Sequence, residues 1–133
     1  VSDYVTPKGW PEPVEPPGKP GWEQSAVKWL YEHVPGEWRE GLNGRQYPKN
    51  PIMLARDAHY LVGGQLEGLR EAYRKARVEL ADHFEPQQIA EQLDMYKFEA
   101  SRLQTLHQQV QLVYDALTGV RWIPNLPPDW TKL

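Results

Sequence analysis

The sequence predicts an all-α protein: a long antiparallel two-helix hairpin with a short N-terminal helix and extended proline- and tryptophan-rich arms at both ends. Three observations predict it. Two proline-free stretches flank Pro86. Both repeat apolar residues at alternating spacings of four and three, the seam of a helix packed lengthwise on another helix. All six tryptophans and 11 of the 13 prolines fall outside residues 50–119. Four segments follow: an arm at 1–21, a short helix and loop at 22–49, the hairpin at 50–119, and a second arm at 120–133.

The first arm holds Pro7, Pro11, Pro13, Pro16, Pro17 and Pro20 with Gly9, Gly18 and Gly21 between them. Proline fixes φ and removes a backbone donor, so the segment is expected to be extended and polyproline-like, neither helix nor central strand. Its order must come from contacts, with Trp10 and Trp22 as anchors. From Trp22 onward, Ala26, Trp29, Leu30 and Val34 share one side of a helix over 22–34. Pro35-Gly36 stops it, and 36–49 reads as loop.

Asn50-Pro51 is a helix start, since Asn caps and Pro suits the first helical position. The first long helix carries Ala55, His59, Val62, Leu66, Leu69, Tyr73, Ala76 and Leu80 on its seam and is expected to reach about His83. The second carries Ile89, Leu93, Tyr96, Ala100, Leu103, His107, Val110, Tyr114 and Leu117, and ends at Thr118-Gly119, where glycine suits a left-handed cap. The short link between them implies antiparallel neighbours. Each helix of about 33 residues gives a rod of about 50 Å. The register places Leu66 opposite Leu103 and Tyr73 opposite Tyr96. Gly63, Gly64 and Gly68 either permit close approach by another backbone or mark a bend. Leu54, Leu61, Leu106 and Val113 widen the apolar stripe beyond a two-helix contact; the short helix covers part, and the rest points to self-association or a partner.

Composition narrows the function. With 15 basic and 18 acidic side chains the net charge is −3, which argues against a dedicated nucleic-acid or acidic-membrane binder. The absence of cysteine excludes disulfides, thiolate catalysis and cysteine-ligated zinc. No apolar run approaches the ~20 residues that span a bilayer, and no charged-then-apolar leader opens the chain. The expectation is a protein of the cytoplasm or of an assembled particle.

Catalytic patterns are missing. Ser2, Ser25 and Ser101 lack a nucleophile-elbow context, no glycine-rich phosphate loop is present, and no Glu-x-x-His pair suggests a di-iron site. His59 and His107 fall on the seam about one layer apart, but two ligands do not make a metal site. They read as a polar layer that fixes register, and no metal or cofactor is expected. Arg70, Arg74 and Arg77 share a face that could touch phosphate or an acidic partner. The interleaved Glu67, Glu71 and Glu79 make a solvated, salt-bridged face the plainer reading.

The arms carry the sharper clue. Trp10, Trp22, Trp122 and Trp130 either fold back onto their own rod or clasp neighbouring subunits. The expectation is a non-enzymatic structural or adaptor subunit of a larger protein assembly, homo- or hetero-oligomeric, with virus head, neck and tail components as an architectural analogy. The alternative is a regulator binding nucleic acid or the transcription machinery through the Arg70–Arg77 face.

Overall fold

A computed structural model of the chain describes residues 6–40 and 50–120. They form α1 (Trp22–Tyr31), α2 (Glu37–Glu40), α3 (Pro51–Leu80) and α4 (Pro86–Leu117), with no strand among the described residues. The two long helices pack against each other as the expected hairpin.

Local chemistry sets the helix ends. The Asn50 side chain accepts hydrogen bonds from the amides of Ile52 (2.9 Å) and Met53 (3.2 Å), satisfying two of the orphan donors at the start of α3. At the start of α4, the Glu85 carboxylate accepts from the Gln88 amide while the Gln88 side chain accepts from the Glu85 amide. This is a reciprocal capping box. The far end closes at Gly119, whose φ of 99° only glycine adopts without strain. The helix α3 stops at Leu80, short of the expected His83. Its last carbonyl accepts from both His83 and Phe84, which tightens the chain into the turn toward Pro86. The segment expected to be loop begins with the single helical turn of α2.

The main core lies near the open end of the hairpin. There α1 supplies Ala26, Trp29, Leu30 and Tyr31, which join Leu54, Ala58 and Val62 of α3 and Leu106, Val110 and Val113 of α4. Burying a leucine such as Leu30 or Leu54 contributes about 1.5–3 kcal/mol. Leu66 and Leu103 lie in the same cluster, in keeping with the expected register. Beyond them, Ala76 and Leu93 are buried between the two long helices alone.

The first arm departs from an extended polyproline strand. Residues 7–22 run through four tight turns, with the amides of Trp10, Val14, Lys19 and Trp22 returning to the carbonyls of Pro7, Pro11, Pro16 and Lys19. In three of them glycine occupies the third position with φ of 92° (Gly9), 90° (Gly18) and 80° (Gly21), the conformation a type II turn demands there. The turns fold the arm back on its own rod. Val14 is 2% exposed within the main core, and Pro11 and Pro17 are buried. The Glu15 amide donates to Ser25 Oγ at 2.9 Å, and Ser25 Oγ donates to the Trp22 carbonyl, so the arm is stitched to α1.

Candidate interaction site

The helix α1 covers one side of the hairpin at its open end. On the other side, α3 and α4 leave a groove that no described helix fills. Its floor is set by helical spacing: His59, Gly63, Leu66 and Arg70 recur at intervals of three and four on α3 and form one stripe. His107, Gln104, Ala100 and Lys97 do the same on α4. Three depressions occur in series along it, of about 500, 540 and 390 Å³, and adjacent ones share His59 and His107, then Arg70. From His59 to Arg74 the groove runs about 22 Å.

The arm closes the proximal end. Lys8, Gly9 and Trp10 line the first depression together with His59, His107 and Leu112. The Trp10 indole N–H donates to the Val14 carbonyl at 2.8 Å. Trp10 and Trp22 are both half-buried against the chain's own core, so each spends part of its surface within the molecule. Trp122 and Trp130 lie outside the described residues.

The middle of the groove is built on the histidine pair. The rings of His59 and His107 stack with centroids 4.1 Å apart and an interplanar angle of 29°. Both are half-buried. A Cβ added at Gly63 would lie 3.2 Å from His107 Nε2. The glycine makes room for an imidazole, where close approach of a backbone or a bend was expected. Its contact with position 107 in place of 106 is a shift of one residue from the expected register. Gly64 and Gly68 face open space. Desolvation lowers the pKa of His59 below its ordinary value, the neighbouring His107 lowers it further, and Asp115 opposes both. Among the described residues no three potential ligands converge on a metal position.

The distal depression has a different character. Leu69, Tyr73, Tyr96 and Ala100 make an apolar floor, and Arg70, Arg74 and Lys97 form its rim. Tyr73 and Tyr96 therefore meet at one level, as the register predicted. Lys97 Nζ lies over the Tyr73 ring at 5.8 Å from its centroid. Along α3, Arg70 pairs with Glu67 at 2.8 Å, Arg74 pairs with Glu71, and Lys75 reaches Glu71 from the other side at 2.9 Å. The hydrogen bonds from Lys75 and Arg74 hold the Glu71 carboxyl below its ordinary pKa.

Of the sequence-predicted cations, Arg70 and Arg74 reach this rim and Arg77 does not line it. Lys97 was missed. Its signal was available, because it adjoins Tyr96, which the hairpin register places opposite Tyr73.

Large apolar side chains are also exposed on the outer faces of both long helices and at the turn. Phe98 is 76% exposed and Val78 82%, and Met95 and Phe84 are also open. No described helix is long and apolar enough to cross a membrane. Comparison with protein-family profiles, with characterised proteins and with solved structures finds no match to this chain.

Proposed function

We propose that this chain is a non-enzymatic structural or adaptor subunit that joins other protein subunits in a larger assembly, of which a virus particle is one kind. The observation that carries the reading is the free-standing distal half of the hairpin. Beyond Leu69 and Ala100 no third element among the described residues supports the two helices, yet Phe98, Val78, Met95 and Phe84 stay in solvent. Large apolar side chains exposed on a stiff projection, with Met95 and Phe98 one turn apart on α4, are the expected footing for a partner. The tryptophans Trp10, Trp22, Trp122 and Trp130 stay in the proposal as further contacts. For Trp10 and Trp22 only the surface left over from their own core is offered.

The regulator reading is weaker. A nucleic-acid contact needs uncompensated cations along a phosphate path, and Glu67 and Glu71 neutralise Arg70 and Arg74.

The test is the solution mass of the purified protein at about 100 µM, with and without a duplex oligonucleotide, a concentration that reveals contacts as weak as about 5.5 kcal/mol. A mass well above the 15.4 kDa chain that falls to the monomer in the double variant Met95→Ser, Phe98→Ser, with helical content unchanged, supports assembly. A monomer that takes up the oligonucleotide in a salt-sensitive manner overturns it.

A further inference from the structure

The groove opposite α1 has a chemistry that narrows what could lie in it. Its distal depression combines an apolar, tyrosine-lined floor with three cations and no carboxylate on its lining. Two of those cations are held only by exposed ion pairs within one helix. Such pairs lie in solvent and exchange readily, so an incoming carboxylate can displace Glu67 or Glu71. The third, Lys97, has no ion pair among the described residues and lies over the Tyr73 ring. Farther along, Gly63 and Gly64 lower the wall of α3, and Gln104 and Gln108 supply neutral donors and acceptors.

We infer that this groove receives an acidic amphipathic helix from a partner protein, seated with an aromatic or aliphatic side chain on Tyr73 and Tyr96 and its carboxylates on Arg70, Arg74 and Lys97. The inference rests on the adaptor reading above and names one of its docking surfaces. Charge complementarity selects the occupant. A basic or neutral helix would leave three cations facing apolar surface, and a duplex nucleic-acid backbone would set no apolar face on Leu69, Tyr73, Tyr96 and Ala100. The dimensions agree, because a helix of about 15 residues matches the 22 Å run from His59 to Arg74. The mode is a helix laid in a groove with anchors at one-turn intervals.

The experiment uses the full chain and a fluorescein-labelled peptide of about 16 residues, leucine and tyrosine on one face and glutamate on the other. Fluorescence anisotropy is expected to give a dissociation constant in the micromolar range at low salt and weaker binding as salt rises. Lys97→Glu, on the groove side of α4, should weaken binding at least tenfold. Arg102→Glu makes the same charge change on the side facing α1 and should alter it less than twofold. Circular dichroism checks that both variants keep their helices. The proposal is overturned if the acidic peptide fails to bind at millimolar concentration, if the two variants weaken binding equally, or if a glutamate-to-lysine peptide binds as well. It is also overturned if a single-stranded oligonucleotide displaces the peptide and itself depends on Lys97. Assembly of the unaltered chain without any binding of the acidic peptide sinks the groove alone. Loss of assembly with peptide binding intact sinks the wider reading alone.

Discussion

Three glycines in one helix offer a sharp test of the structure, because their surroundings differ. Gly63, Gly64 and Gly68 all lie in the interior of α3, where replacing glycine by alanine is worth about 1 kcal/mol through backbone entropy. A methyl group at Gly64 or Gly68 meets nothing within 4 Å. Gly64→Ala and Gly68→Ala should therefore each stabilise the protein by about 1 kcal/mol, raising Tm by about 3–5 °C for a chain of this size. A methyl at Gly63 stands 3.2 Å from His107 Nε2, and the His59 ring packed at 4.1 Å restricts where that imidazole can retreat. The propensity gain is then offset by crowding, so Gly63→Ala should be neutral or destabilising. Thermal melts followed by circular dichroism, with urea titrations to check that the m-value is unchanged, separate the three. A Gly63→Ala gain equal to the other two would mean that His107 is not seated over position 63. A loss at Gly64 or Gly68 would mean that something covers those positions.

The seam should be far more sensitive than the groove wall: Leu103→Ala should cost about 2–5 kcal/mol, and Gln108→Ala should stay within about 0.5 kcal/mol, both read from chemical denaturation. The first arm is part of the fold, so Val14→Ala or deletion of residues 1–20 should lower Tm measurably; an unchanged melt would show that the burial of Val14 contributes nothing. Stability should also fall as pH drops. His33 and His59 both have folded pKa values depressed below 6.5, chiefly by desolvation, so their contribution is full above the unfolded pKa and is lost as pH falls through the folded one. His59→Gln should flatten the fall in Tm between about pH 7 and pH 5, and an unaltered slope would place the effect elsewhere.

The hairpin was legible because a repeat of four and three carries both the packing face and, through the short link at Pro86, the partner of each layer. Asn50 and Gly119 were legible as caps because each satisfies a fixed need of a helix terminus. The arm was misread for an instructive reason. Pro17-Gly18 and Pro20-Gly21 count toward an extended, polyproline-like chain as composition, yet as ordered pairs they specify type II turns. Val14, alone among prolines, has no periodicity to announce its burial. The glycines of α3 look alike in sequence and differ only through what α4 sets against them. Lys97 joins the rim through a residue on another helix, so its role appears only once the register is applied across the hairpin.

Support along the rod is uneven, and this gives it mechanical character. The root, around Leu54, Val62 and Val110, is clamped by α1 and by Val14, whereas the tip beyond Leu69 and Ala100 overhangs like a cantilever. A tilt of about 10° at the root would carry the tip through about 4 Å, given its overhang of some 22 Å. Amide exchange should follow the same gradient, fastest near Phe84 and slowest near Val110, because opening the tip breaks few apolar contacts. An object that grips the tip therefore holds a lever, and strain applied there is delivered to the histidine pair and the clamp behind it.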